Sequence, residues 1–192
     1  MFRELLRRCG RLTDAQAAAL EAHYELLCRW NKVINLTAIE NAEEAVARHY
    51  GESLFLAERL PEGVESIADV GSGAGFPGFP VAVVRPSCQV TLIESDQRKA
   101  VFLREAFRGL TNVHVVAARA EAVKESFAWA ISRAVSYQEL GKGSWKLGAR
   151  LALLTGSDAP PAAWGLEWSV EALPGSRQRF LRISNVALGT GG

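Results

Sequence analysis

Four acidic or basic residues stand where apolar runs of this chain end: Asp69, Glu94, Glu121 and Arg133. A glycine-rich turn follows the first of them. The stretch Glu65-Ser66-Ile67-Ala68-Asp69-Val70-Gly71-Ser72-Gly73-Ala74-Gly75-Phe76-Pro77-Gly78 opens as a short apolar run and then breaks into four glycines within eight residues. Glycine lets the backbone take φ > 0 and lets a ligand approach the main chain with no Cβ in the way. An ordinary turn needs one or two glycines, so four argue for a ligand cradle between a strand and a helix. Pro77 suits the first turn of that helix, where its missing N–H costs nothing.

Gly73, Gly75 and Gly78 spell G-x-G-x-x-G, the dinucleotide fingerprint. Two details point instead to S-adenosylmethionine (SAM). Asp69 can receive a cationic group of a cofactor but would repel a pyrophosphate lying on the loop. Gly71-x-Gly73-x-Gly75 is also the spacing of the first motif of SAM-dependent methyltransferases. Glu94, twenty-three residues after Gly71, can accept both hydroxyls of a ribose, which fits either ligand. Ala120 and Glu121, in Ala118-Arg119-Ala120-Glu121, stand where a methyltransferase holds adenine. Ser132-Arg133-Ala134 stands where it places groups that touch the methyl acceptor. Three acidic strand ends suit a sulfonium better than an anionic dinucleotide. An arginine at the end of a buried strand is rarely there for packing, since an unpaired buried charge is expensive.

The elements that must position these residues alternate. Strands are predicted at Ile67–Val70, Gln89–Glu94, Asn112–Ala117, Phe127–Ser132 and Arg150–Thr155. Helices are predicted at Pro77–Val84, at Asp96–Arg108 and, weakened by Gly141 and Gly143, at Gln138–Leu147; Glu121–Ser126 reads as a short helix or turn. Such alternation means a parallel sheet with helices on both faces. Two later runs, around Trp168 to Ala172 and Arg177 to Ile183, alternate about the turn Pro174-Gly175-Ser176 and read as an antiparallel hairpin at the sheet edge. The expected fold is α/β: a class I SAM-dependent methyltransferase, Rossmann-like, mostly parallel, with that hairpin and an N-terminal helical cap. Residues 1–62 form the cap and 63–192 the SAM-binding domain, as one unit. In the cap, Thr13 with Gln16 makes a capping box, and Leu20, Tyr24 and Leu27 form an apolar stripe. Asn41 with Glu44 is a second cap. Arg3, Arg7 and Arg11 are four apart and would share a helix face, as an RNA-facing stripe or a solvated one.

Composition narrows the setting. A chain of 192 residues with net charge +1 can build a full core but does not announce a nucleic-acid binder, so such a site must be a local patch. Three widely spaced cysteines make neither a disulfide framework nor a zinc spacing, which favours a reducing cytoplasm. The N-terminus lacks a signal-peptide core, and no stretch approaches the roughly 18 apolar residues of a membrane span. No Asn/Asp-Pro-Pro-aromatic motif closes strand four, which argues against exocyclic-amine methylation. No cysteine follows Cys88, which argues against a covalent pyrimidine mechanism. Guanine N7 carries a ready lone pair and needs no general base. His49 is the histidine in an interesting context; His23 and His114 read as incidental.

The chain resembles the glucose-inhibited division protein B family, guanine-N7 methyltransferases of small-subunit ribosomal RNA. The resemblance runs from about Tyr24 to Gly156. It rests on Trp30-Asn31 with Asn35-Leu36-Thr37, Arg48-His49 with Glu52-Ser53-Leu54, the Asp69–Gly78 stretch, Val84-Arg85-Pro86, Lys99 with Phe102-Leu103, Arg119-Ala120-Glu121 and Ser132-Arg133-Ala134. It implies SAM held around Gly71, Phe76, Ala120, Glu121 and Arg133, with Glu94 as the acidic end of strand two. The chain departs from the family in having Glu52 for the usual Asp, Gly51 before it, Val135 for an aromatic and Thr155-Gly156 for Lys-Gly. Its tail, Asn185 to Gly192, lacks the closing Pro- and Lys-containing motif.

The expectation is a cytoplasmic, monomeric enzyme that binds SAM through Asp69, Gly71, Gly73, Gly75, Phe76, Glu94, Ala120, Glu121 and Arg133. Substrate contacts are expected from His49, Arg98 and Ser132, and further RNA contacts from Lys142 and Lys146. The partner would be 16S rRNA or the 30S subunit. A SAM-dependent methyltransferase of a small-molecule or protein acceptor and a non-catalytic RNA-binding assembly factor with the same fold are the alternatives.

Overall fold

The computed structural model describes residues 1–39 and 41–185. Three helical stretches come first: α1 (Phe2–Arg7), α2 (Asp14–Asn31), and a continuous rod made of α3 (Ala42–Glu44), a π-helical segment (Ala45–Gly51) and α4 (Glu52–Arg59). The Thr13/Gln16 capping box forms, and Asn41 caps α3 by accepting from the Glu44 amide. The π segment was not foreseen; wide turns of this kind favour functional sites. Gly51 sits in it because a Cβ there would meet the Val46 carbonyl at 3.0 Å and Cys9 Sγ at 3.3 Å. The arginine stripe is corrected. The α1 helix ends at Arg7, before Arg11, and Arg3 and Arg7 are paired with Glu21 and Asp14.

The sheet follows with β1 (Ser66–Val70), β2 (Gln89–Ile93), β3 (Val113–Val116), β4 (Phe127–Arg133), β5 (Gly148–Thr155), β6 (Trp168–Ala172) and β7 (Phe180–Ser184). Their order is β3-β2-β1-β4-β5-β7-β6. The first five run parallel; β7 lies antiparallel beside β5, and β6 pairs with it as the expected hairpin. The order reverses between β2 and β4 around β1, the switch point at which open sheets bind ligands. The tail beyond Asn185, to which the missing closing motif refers, lies outside the described residues.

The two faces of the sheet are covered differently. On one face α5 (Gly78–Val84), α6 (Gln97–Ala106) and the N-terminal helices share a continuous core, in which Leu20, Leu27, Tyr50, Ile67, Phe76, Leu92, Phe102 and Ile131 are buried. On the other face, helices were expected too. There the segment 138–147 has only a single turn, α7 (Tyr137–Leu140), and a 3-10 turn (Ser144–Leu147), parted by Gly143 at φ +113°. Gly141 and Gly143 raise the cost of a longer helix, and Pro160-Pro161 prevents one after β5. Tyr137, Trp145, Trp164 and Trp168 cover the strands instead, with the Trp145 and Trp164 rings stacked at 5.3 Å. Large rings supply area that the missing helices would have buried.

Candidate active site

The glycine turn takes the conformation its composition demands. Gly71, Gly73 and Gly75 have φ of +72°, +55° and +91°. The Gly71 and Ser72 amides both donate to the Ile93 carbonyl, which ties the turn to the end of β2. A Cβ on Gly71 would stand 2.5 Å from Val135 Cγ2. Gly71 and Val135 are the two residues at which two cavities meet. One, about 200 Å³, is lined by Ile93, Ser95, Ala118, Ala120, Glu121 and Val135. The other, about 250 Å³, is lined by His49, Phe76, Glu94, Lys99, Arg133 and Ala134. Together they make a cleft across the carboxyl ends of β1, β2 and β4. A larger cavity, about 430 Å³, opens near Leu12, Arg85 and Pro86, at the other end of the strands.

Most of the expected cofactor residues gather in this cleft: Gly71, Gly73, Phe76, Glu94, Ala120, Glu121 and Arg133. Gly75 lies behind it, packed against Phe107 and His23. Asp69 does not face the cleft. It is fully buried, and its Oδ2 accepts from the Gly78 amide at 2.9 Å, holding the start of α5 beneath the loop. Direct contact with a cationic cofactor group is therefore corrected to a structural tie. Burial pushes its pKa up to about 7, against the pull of the Gly78 N–H bond. Glu94 accepts from the Gly73 amide at 2.9 Å and from the Asp96 amide at 2.8 Å, so it shapes the loop as well as lining the cleft.

The expected substrate residues separate. Ser132 is turned away: it is buried, and its hydroxyl donates to the Val70 carbonyl at 2.8 Å, which spends it on strand pairing. Arg98 stands out in solvent beside a separate groove with Val33, Asn35 and Asp96, not in the cleft. Its neighbour Lys99 reaches the cleft instead. His49 is in place. Its ring stacks on Phe76 at 4.6 Å, Nδ1 accepts from the Arg133 guanidinium, and Nε2 lies 2.7 Å from Thr37 Oγ1. Because Nδ1 must accept, the proton is on Nε2 and is donated to Thr37. Thr37 is held in turn by Asn31, whose Oδ1 accepts from the Leu36 and Thr37 amides and whose Nδ2 donates to the Thr37 carbonyl. Burial, then the Arg133 charge, lowers the His49 pKa to about 3.

Arg133 leaves β4 at a turn where Ala134 takes φ +58°, a left-handed conformation unusual for a non-glycine residue and frequent at functional sites. Its guanidinium lies 3.7 Å from Glu52, which is 2 % exposed. A second guanidinium, Arg179 from the C-terminal hairpin, closes on the same carboxylate. Arg179 was not singled out from the sequence. Its signal was only its place on the same face as Leu181 and Ile183. Burial raises the Glu52 pKa, opposed by both arginines. Three parts of the chain thus converge beside the cleft: the helical cap, β4 and the hairpin. Thr155, where the family has lysine, receives the Arg182 guanidinium at 3.0 Å, and Arg182 also donates to the Gly156, Ser157 and Asp158 carbonyls.

Solved structures with this fold include a SAM-dependent methyltransferase from Aquifex aeolicus, with a TM-score of 0.54 and 16 % identity over 73 % of this chain and 92 % of that one. Another is a ribosomal protein L11 methylase from Lactobacillus delbrueckii subsp. bulgaricus, with a TM-score of 0.58 and 10 % identity over 73 % and 79 %. At such identities the likeness is one of fold. Closer relatives in sequence are the ribosomal RNA small subunit methyltransferases G of Xanthomonas campestris pv. campestris (strain B100), 48 % identical over 59 % of this chain and 53 % of the relative, and of Xylella fastidiosa (strain M23), 48 % identical over 60 % and 54 %. The chain spans about half the length of the curated relatives it matches. The model of the GidB family, rRNA small subunit methyltransferase G, matches residues 16–144, the stretch that holds the glycine turn, His49 and Arg133, and the chain belongs to that family.

Proposed function

We propose that the protein transfers a methyl group from SAM to N7 of a guanine in the 16S rRNA of the small ribosomal subunit. The residues present fit SAM. The Gly71 backbone has no side chain where the two cavities meet, as a ligand lying across both requires. Ala120 and Glu121 border the side that suits adenine. Glu94 keeps acceptor capacity beyond its two amide bonds, enough for a ribose hydroxyl. Bound SAM supplies an electrophilic methyl group on a cationic sulfur. The chain's own task is to hold the acceptor in line with it and to keep water out.

The single observation that carries the choice of acceptor is the state of His49. It is the imidazole beside the cleft, and both its nitrogens are spent, on Arg133 and on Thr37. No lone pair is left to take a proton. Guanine N7 attacks with a lone pair it already has, and the positive charge passes from sulfur to base with no proton removed. Arg133 and Lys99 at the same wall suit a phosphate or a base-edge acceptor.

Among the described residues no helix is long and apolar enough to cross a membrane; we place the protein in the cytoplasm, as a monomer acting on 16S rRNA or the 30S subunit. The test is methyl transfer from labelled SAM onto 30S subunits and deproteinised 16S rRNA, followed by nucleoside analysis. The expected product is labelled 7-methylguanosine. SAM binding with no label in rRNA would move the weight to another acceptor or to an RNA-binding assembly factor. The second acceptor reading draws on Thr155, which is tied to Arg182 where a lysine could have met phosphate.

A further inference from the structure

His23, on α2, takes no part in the chemistry above. Its ring is 2 % exposed and lies in the core between the helical cap and the glycine turn. Nε2 is 3.0 Å from the Ala74 carbonyl oxygen, and Nδ1 is 2.7 Å from the Tyr50 hydroxyl. A carbonyl can only accept, so Nε2 carries the proton and donates, and Nδ1 accepts a hydrogen bond from the Tyr50 hydroxyl. Each group is used once and the tautomer is fixed.

The bond falls on a residue flanked by glycines. Ala74 stands between Gly73 and Gly75, both at positive φ. Two glycines around one peptide give its carbonyl few steric limits. The Gly75 N–H of the same peptide donates to the Ser72 carbonyl at 2.7 Å, and the imidazole holds the opposite, carbonyl edge. The surroundings are close-packed: a Cβ on Gly75 would lie 3.3 Å from His23 Nε2 and 3.1 Å from Phe107 Cζ. The His23 ring stacks on Phe79 at 4.4 Å, and Tyr50 and His23 both meet the edge or face of Phe76. Tyr50 is the residue after His49. The π segment therefore sends one side chain to Arg133 and the next, through His23, to the back of the loop.

We propose that His23 is a positioning residue for cofactor binding: with Tyr50 it fixes the Ala74 carbonyl, and so the backbone from Gly73 to Phe76, in the shape that receives SAM. Cofactor affinity then depends on the N-terminal helical cap, although among the described residues only Leu36 and His49 of the cap line the cleft. The inference rests on the SAM reading above. It is separable from it, because loop order can be measured without SAM.

The experiment compares wild type with His23→Leu, His23→Gln, Tyr50→Phe and, as a control for general loss of stability on the same helix, Leu20→Ala. Calorimetric titration gives SAM affinity, and hydrogen exchange gives the order of Gly73 to Phe76. His23→Leu is expected to weaken SAM about tenfold and to speed exchange at the loop, as loss of a buried hydrogen bond to it would. Tyr50→Phe should do the same to a smaller extent. His23→Gln, whose amide can donate to the same carbonyl, should recover most of the affinity. Leu20→Ala should melt lower and bind SAM as wild type does. On rRNA, KM for SAM should rise with kcat at saturating SAM unchanged. Wild-type affinity in folded His23→Leu would overturn the proposal, and so would an equal loss in Leu20→Ala. If His23→Leu does not fold, Tyr50→Phe and His23→Gln decide by the same criteria. If wild type binds no SAM, the functional reading falls, and the exchange data still decide whether His23 orders the loop.

Discussion

Three buried groups around the glycine turn are held away from their ordinary protonation, and they act on stability in opposite senses. His23 and His49 have pKa values lowered from 6.5 to about 3, in both cases chiefly by burial. Asp69 is raised from 3.8 to about 7. An unfolded chain takes up a proton on each histidine as pH falls below 6.5, while the folded chain does not. Each histidine therefore removes about 1.4 kcal/mol of stability per pH unit on acidification. Asp69 works the other way. The folded state keeps its proton up to about pH 7, and the unfolded state loses it at 3.8, so stability falls by a similar ~1.4 kcal/mol per unit as pH rises through that window. Glu52, also raised, adds to the Asp69 sense just above 4.5. Between about pH 6.5 and 5 the two histidines outweigh Asp69 by one proton, for a net loss of roughly 2 kcal/mol. Asp69→Asn keeps an acceptor for the Gly78 amide and removes the proton. Its loss over the same interval should be about 4 kcal/mol, near twice that of wild type. Urea unfolding followed by tryptophan fluorescence at half-unit steps of pH measures both slopes. Parallel slopes in wild type and Asp69→Asn would show that Asp69 is ionised in the folded protein and refute the reasoning. A wild type no less stable at pH 5 than at 6.5 would refute it for the histidines.

Other perturbations follow from the same geometry. Gly71→Ala puts a Cβ 2.5 Å from Val135 and asks alanine for φ +72°, costing about 1–2 kcal/mol in backbone conformation alone; calorimetry should find SAM at least about tenfold weaker. Glu52→Gln leaves Arg133 and Arg179 around a neutral side chain, and chemical denaturation should show a loss of about 3 kcal/mol; a double-mutant cycle with Arg179→Met should give a coupling above ~1 kcal/mol. Arg3→Ala with Arg7→Ala should leave rRNA affinity and its salt dependence as they were, because those charges are paired within the cap. Lys99→Ala, by contrast, should lower the salt slope by about one, measured by filter binding over a salt series.

The parallel half of the fold was legible because its signals are short-range. Each strand ends in a chemical marker, and the glycines and Pro77 fix where β1 gives way to α5. What escaped were features set by several parts of the chain at once. The π segment has ordinary helix formers in it, and its width answers to packing around Tyr50 and the approach of Cys9 to Gly51. The second face was expected to carry helices because alternation normally brings them. Gly141, Gly143 and the Pro160-Pro161 pair forbade length, and the tryptophans that replaced helices were scattered over 24 residues, from Trp145 to Trp168.

Two misplaced site residues could have been read from strand parity. Side chains alternate across a sheet, so Ile67 and Asp69 share one face, and Ala68 and Val70 the other. The first face is the one that α5 covers, and a carboxylate on it must lie under the N-terminus of that helix, where Gly78 is found. In β4 the same rule puts Trp129, Ile131 and Arg133 with the helical cap and leaves Ala130 and Ser132 on the far side. Arg133 then meets Glu52 and His49, and Ser132 cannot. In β7, Leu181 and Ile183 face the cap, which sends Arg179 to Glu52 as well. Parity fixes the face but not the partner. His23 shows why. It sits three residues after Leu20 and four before Leu27, the centre of a buried stripe, and there a sequence reads a polar exception. Only the fold shows that the exception meets a loop carbonyl between two glycines, where an apolar side chain would leave that carbonyl without its donor.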